Sequence, residues 1–304
     1  KDDAFAGLNG ETQLVGVVGW PIAHSMSPAM HNAVLRRLAM NWCYVPFPVR
    51  PDQIQDAIRG LVALGIRGVN VTVPHKQAVM LELDEIAPEA RAVGAVNTVA
   101  IDRDAEGTIV LRGRNTDGQG FLSGLRAHGY DPQGARALVV GAGGAARSVV
   151  FALLQAGADR IRILNRTPSR ARRLVADLAS PSLSSGGLAS KTLVAEATAS
   201  DLLINATTVG MWPEVDGSIW PVEETLPAHL TVYDLVYNPI ETRLLRQARE
   251  AGAQTVDGLG MLAHQGALSL NVWVDEPLDI DEVAATMRQA AERALASAAR
   301  GVQD

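Results

Sequence analysis

Ala137-Leu138-Val139-Val140-Gly141-Ala142-Gly143-Gly144-Ala145-Ala146 is an apolar run that breaks into a glycine turn, and Ser148–Gln155 beyond it has helical spacing. Order carries more weight here than the G-x-G-x-x-A pattern alone. A strand that feeds a glycine turn and then a helix N-terminus opens a doubly wound α/β unit. Its first two glycines permit a tight turn and close backbone approach, and the first amides of the helix face a pyrophosphate. Gly141, Ala142, Gly143, Gly144 and Ala145 are therefore the expected dinucleotide-contacting turn.

Downstream, Ile161–Leu164, Leu202–Ala206 and Val232–Val236 repeat the short apolar run with helices between them. Ser180–Ser190 reads as a surface loop by its Ser and Gly content, and Asp257-Gly258-Leu259-Gly260 reads as a turn before a helical C-terminal stretch. Phe121, Leu122 and Leu125 mark a helix that ends near Gly129. Upstream, Leu14–Gly19, Tyr44–Phe47 and Val69–Val73 read as strands. Ser27-Pro28 is an expected N-cap and first helical turn, followed by Met30, Val34, Leu35 and Leu38 at helical spacing. Another helix passes through Ile54, Ile58, Leu61 and Leu64 to Gly65. Ala95–Ile101 and Thr108–Leu111 suggest a hairpin at the sheet edge.

The fold expected is α/β with two domains: an open, mostly parallel N-terminal substrate domain and a Rossmann domain, with C-terminal helices returning to the first. The boundaries are 1–116 with 259–304, and 117–258. Leu35, Leu38, Leu244, Leu245, Leu268 and Leu270 are expected in the core.

A chain of 304 residues with 47% hydrophobic and 20% charged residues can bury two cores. Its net charge of −6 argues against nucleic-acid or anionic-membrane partners and leaves small molecules. Cys43 is the only cysteine, and no apolar run approaches a membrane-spanning length, so a reduced, cytoplasmic setting is expected. His24 and His75 have no metal-ligand partners at a recognisable spacing. Both are read as buried or capping residues, and no metal is expected.

After the second Rossmann strand, NAD enzymes usually carry an acidic residue for the ribose diol. This chain carries Asn165-Arg166-Thr167 there. Arg166 can stack on adenine and pair with a 2′-phosphate, Arg170 can close the other side, and Thr167 can donate a hydroxyl, so NADP(H) is the expected cofactor. The alternative is that Thr167-Pro168 caps a helix whose arginines face water.

In the first domain, Ser25 and Ser27 at a helix entrance offer hydroxyls and amides for a carboxylate. Thr72 and Lys76 follow a strand, Asn97 sits beside another, and Asp117 lies where the chain crosses between domains. Reduction of a ketone by hydride leaves an alkoxide that needs a proton donor. Lys76 beside Asp117 suits that task, although each alone reads as a solvated amine and a helix cap.

The motifs Gly19–Ser25, Val71–Lys76, Gly94–Thr98, Asn115–Gly120, Gly141–Ala146, Asn165–Thr167, Asn205–Met211, Tyr237-Asn238-Pro239 and Gly258–Gln265, in this order, resemble the shikimate dehydrogenase family over nearly the whole chain. The resemblance implies reversible NADPH-dependent reduction of 3-dehydroshikimate to shikimate, in aromatic amino-acid biosynthesis, by a monomer or homodimer. By motif it assigns Lys76 and Asp117 as the catalytic pair and Ser25 and Ser27 to the substrate carboxylate, with Tyr237 helping. Thr72, Asn97, Asp117 and Gln265 fall to the ring hydroxyls. Met211 and Gly258 border the nicotinamide, and Thr207 and Thr208 touch the cofactor side. Thr208-Val209 departs from the Ser or Pro choices common there, which touches only local cofactor contacts. A quinate or aminoshikimate dehydrogenase and a non-catalytic NADP-binding sensor are the alternatives.

Overall fold

In the computed structural model, which describes residues 8–301, the chain forms two units. One comprises the chain through Thr116 together with everything from Gly266, and the other is Asp117–Gln265.

The first unit runs β1 (Gln13–Gly19), α1 (Ser27–Arg37), β2 (Trp42–Pro48), α2 (Ile54–Ala63), β3 (Gly68–Val71), β4 (Glu85–Ile86), α3 (Pro88–Val93), β5 (Thr98–Arg103) and β6 (Ile109–Arg114). The strands lie in the order β2-β1-β3-β5-β6-β4. β1 is parallel to β2 and β3, β4 is parallel to β6, and only β5 runs against its neighbours. Side chains alternate across a strand. Val69 and Val71 therefore join Ile54, Ile58 and Leu61 in the aliphatic core under α2, while Gly68 and Asn70 face the other side of the sheet. The β5–β6 hairpin is closed by Asp104, whose carboxylate accepts the Glu106 and Thr108 amides. It is not at the edge as its sequence suggests, because β4, too short to show any periodicity, pairs outside it.

The second unit contains α4 (Asp117–Ala127), β7 (Arg136–Val140), α5 (Gly144–Gln155), β8 (Arg160–Asn165), α6 (Pro168–Leu178), β9 (Leu183–Gly187), α7 (Ser190–Thr198), β10 (Leu202–Asn205), β11 (Thr231–Asp234), α8 (Arg243–Glu250) and β12 (Gln254–Val256). All six strands are parallel, in the order β12-β11-β10-β7-β8-β9. This is the doubly wound order anticipated from the glycine turn. Alternation explains the two layers. Ala137, Val139, Ile161, Ile163, Leu202 and Ile204 enter one core, and Leu138, Val140, Leu164 and Leu203 enter the other.

Several expectations need correction. Ser180–Ser190 is not a plain loop: Leu183–Gly187 forms β9, pairing Ile161 with Leu183 through Asn165 with Gly187. Ser-Ser-Gly-Gly has little strand propensity, so the partner strand supplies what side chains do not. Asp257–Gly260 is not a turn, because Gly258 begins α9 (Gly258–Trp273). A Cβ on Gly258 would lie 2.5 Å from the Leu235 carbonyl oxygen, so glycine here serves close backbone approach rather than chain reversal. The chain rejoins the first unit at Gly266, part-way along α9, where the sequence placed the return at 259.

α10 (Ile280–Gly301) packs on α1 in the first unit, with Arg37 bonded to Thr286 and paired with Glu282. Its Val283, Ala284, Met287, Ala290 and Ala291 are buried at helical spacing. Leu35, Leu244, Leu245 and Leu270 are core residues as expected. Leu268 is only partly buried, and Leu38, at 41% exposure, is not core. Leu38 is the C-cap of α1, where the chain turns away from the packed stripe. Leu64 likewise follows the end of α2 and is exposed. Among the described residues no helix is long and apolar enough to cross a membrane.

Candidate functional site

In the first unit the expected site residues gather at one end of the sheet. β1 and β3 are adjacent and parallel, so the loops leaving Gly19 and Val71 emerge together, at the carboxyl ends where open α/β sheets bind ligands. The loops are tied by the Trp20 amide donating to the Val73 carbonyl at 3.0 Å. A Cβ on Gly19 would sit 2.5 Å from Thr72 Cγ2, so glycine there lets the two loops touch.

Ser25 and Ser27 follow Gly19, both partly buried. Ser27 is the first residue of α1 rather than its cap. Met26 holds the cap position and no side chain caps the helix, while Ser25 Oγ accepts the Ser27 amide at 3.3 Å. Thr72 donates its amide to Val18 at 2.9 Å. His75 is buried, with its Nε2 2.7 Å from the Val49 carbonyl oxygen, whereas His24 is exposed rather than buried. Its place in the loop beyond β1 keeps it at the surface.

Lys76 is partly buried, and its backbone carbonyl accepts the Val96 amide at 2.8 Å. Asn97, next along, is buried. Its Oδ1 accepts the Thr116 amide at 2.9 Å, and its Nδ2 donates to Thr116 Oγ1 at 2.9 Å. Lys76 is thus bonded to Val96, the neighbouring Asn97 is bonded to Thr116, and Asp117 is one peptide bond further on. Asp117, buried, is the first residue of α4 in the second unit, where helix amides complement a carboxylate.

In the second unit, Gly141 adopts φ +121°, and a Cβ there would lie 2.7 Å from the Ala206 carbonyl oxygen. Gly143 is the N-cap of α5 and has nothing within 4 Å of where a Cβ would stand; the helix has no side-chain cap. A closed glycine beside an open one, leading into an uncapped helix start, fits a bound pyrophosphate. Ala142, Gly144 and Ala145 are partly buried around it. Arg166, Thr167 and Arg170 are exposed beyond β8, and Asn165 Nδ2 braces this turn by donating to the Thr167 carbonyl at 2.9 Å. Thr167 occupies the N-cap of α6 with no side-chain capping bond.

Beyond β10, Thr207 is fixed by its hydroxyl donating to Asn205 Oδ1 at 2.6 Å, while Thr208 is exposed and Met211 partly buried. Tyr237 follows β11, and burial raises its phenol. Gly258 and Gln265 lie on α9, with Gln265 Nε2 donating to the Leu262 carbonyl at 2.9 Å.

Sequence reasoning missed the buried polar residues beneath both sets. Asn205 Nδ2 donates to Asp234 Oδ1 at 2.9 Å, and Thr242 Oγ1 donates to Asp234 Oδ2 at 2.7 Å. Burial pushes the Asp234 carboxyl up to about 6, against hydrogen bonds from Thr242, the Val236 amide and Asn205 that pull it down. A folded-state value above the unfolded 3.8 gives stability that is present below 3.8 and lost as pH rises through 6. At 1.36 kcal/mol per unit this amounts to about 3 kcal/mol. Compared with Asp234→Asn, the wild type should therefore gain about 2 kcal/mol of this between pH 7 and 4. Thermal melts of both proteins across this range check it, and a pH-independent gap overturns it. The signal was available: Asn205 and Asp234 end two otherwise apolar runs.

Residues 17–99 match the family model of the shikimate dehydrogenase substrate binding domain, and residues 126–210 match that of shikimate / quinate 5-dehydrogenase. The chain is 45% identical over 278 residues to a shikimate dehydrogenase (NADP(+)) of Methanopyrus kandleri, covering 90% of this chain and 94% of that one. It is similar to a solved shikimate dehydrogenase in complex with NADP+, at TM-score 0.84 and 36% identity, covering 95% and 97%. It is also similar to a shikimate 5-dehydrogenase of Thermus thermophilus in complex with NADP(H) and shikimate, at TM-score 0.81 and 39% identity, covering 93% and 99%.

Proposed function

The chain belongs to the shikimate dehydrogenase family, and from that premise we propose that it interconverts 3-dehydroshikimate and shikimate with NADP(H), with Lys76 and Asp117 as its acid–base pair. What supports the pair is that the Lys76 carbonyl accepts the Val96 amide, and that the next residue, Asn97, is bonded to Thr116, the residue before Asp117. When bound, NADP(H) supplies or accepts the hydride. Lys76 gives its ammonium proton to the oxygen that gains charge on reduction, and takes a proton as the neutral amine in the reverse direction. Asp117 orients that ammonium and accepts a substrate hydroxyl. Ser25 and Ser27, with Tyr237, hold the carboxylate; Thr72, Asn97 and Gln265 hold ring hydroxyls.

On the cofactor side, the Gly141–Ala145 turn receives the pyrophosphate, and Arg166, Thr167 and Arg170 receive the 2′-phosphate. Asn165 braces that turn. Thr207, Thr208, Met211 and Gly258 border the rest of the dinucleotide. Lone Cys43 goes with a cytoplasmic setting, and sedimentation reads whether the state is monomer or homodimer.

Absorbance of NADPH formed from shikimate tests the activity, with quinate as the competing substrate. Turnover of quinate alone selects the paralogue reading, and no turnover of either selects the sensor. Arg166→Ala should weaken NADP binding by roughly 10–100-fold, the worth of a charge-assisted contact, and leave NAD almost unchanged. Titration of both dinucleotides checks this, and an unaltered preference removes Arg166 from phosphate recognition.

A further inference from the structure

The sheet face opposite α2 carries a buried polar chain where apolar packing would satisfy the fold. On α1, Ser27 and His31 are one helical turn apart, and the His31 ring stacks on Tyr44 at 4.0 Å between centroids. Tyr44 is buried and its hydroxyl donates to Asn70 Oδ1 at 2.8 Å. Burial raises the phenol well above its usual range, and His31 Nδ1 lies 2.9 Å from the Ser27 carbonyl oxygen. Asn70 Nδ2 donates to Ser269 Oγ at 2.9 Å and to the Asn97 carbonyl at 3.2 Å. Ser269 Oγ lies 2.7 Å from Thr98 Oγ1 and 3.2 Å from Thr116 Oγ1. Ser269 and Trp273 are again one turn apart on α9, opposite Asn70 and Gly68 on β3.

We propose that Tyr44 and Ser269 are positioning residues for the substrate: through Asn70 they set the separation between Ser27, at the carboxylate end, and the Asn97–Thr116 pair, at the hydroxyl end. The inference rests on the reading of Ser27 and Asn97 as substrate ligands. A buried network of side-chain hydrogen bonds holds its geometry stiffly. Neither Tyr44 nor Ser269 touches the ligand in this scheme; each acts through a residue that does.

Steady-state kinetics of Tyr44→Phe and Ser269→Ala test the idea, with Ser269→Ala reading the far end of the chain should Tyr44→Phe fail to fold. Each should raise KM for shikimate on the order of 10-fold, the equivalent of one lost hydrogen bond, and leave KM for NADP unchanged. Tyr44→Phe placed in a Ser27→Ala background should add less than about 2-fold, because its effect passes through Ser27. A merely structural role predicts a lower Tm with both KM values unmoved, or effects that multiply independently of Ser27, and either overturns the proposal. A wild-type chain that does not turn over shikimate overturns the underlying reading and this one with it. Wild-type turnover with kinetically unchanged variants overturns this one alone.

Discussion

Lys76→Ala should lower turnover by ~10²–10⁴-fold, the usual worth of a positioned proton donor, while KM for shikimate moves far less. Hydride addition to a carbonyl builds charge on oxygen, and without the ammonium that charge must be met by water or by neutral hydroxyls. The lysine is well placed for removal without collapse: it is partly buried, and its backbone carbonyl, not its side chain, makes the bond to Val96. The loop therefore keeps its anchor in the variant. Asp117→Ala is expected to harm kcat and KM together, since its proposed role includes substrate contact. NADPH formation measured across a range of shikimate concentrations separates these cases, and turnover of Lys76→Ala within a few-fold of wild type would take lysine out of the chemistry.

Trp273→Ala should cost about 3–5 kcal/mol of stability. Trp273 is buried, and its indole donates to the Val99 carbonyl at 3.0 Å. A Cβ on Gly68 would lie 2.2 Å from the indole nitrogen, so the ring fills the space that glycine leaves on β3. Truncation opens a cavity and removes the indole's hydrogen bond to Val99. The backbone carbonyl of Trp273 also accepts Arg67 Nε at 2.9 Å, a contact the variant retains. Urea unfolding followed by circular dichroism gives the loss directly, and a change below about 1 kcal/mol would mean that the ring is not structural.

The Rossmann half was legible because its signal is local: Val139-Val140 followed by Gly141 fixes a strand, a turn and a helix start within a few residues. The first sheet was legible in its parallel strands for the same reason. Short edge strands were not, since Glu85–Ile86 and Leu183–Gly187 owe their conformation to the neighbouring backbone rather than to their own side chains. The candidate ligand-facing residues were named through motif order. Those behind them were not, because Tyr44, Asn70 and Ser269 are scattered along the chain and meet only once β2, β3 and α9 have packed. A polar Asn70 between Val69 and Val71 was the one available hint. Gly258 was read as a turn because glycine signals both reversal and close approach, and only packing against Leu235 separates the two.

The indole of Trp273 bears also on how the chain is made. The first sheet needs that ring against Gly68, yet translation at about 5–20 residues per second delivers it roughly 10–40 s later. During that interval a nascent chain carries the strand face that α9 will later cover, without its cover. Nonsense mutations that remove α9 and α10 therefore do not trim an appendage: they release a polypeptide whose first-made sheet has no lid, and such products should be insoluble or rapidly degraded.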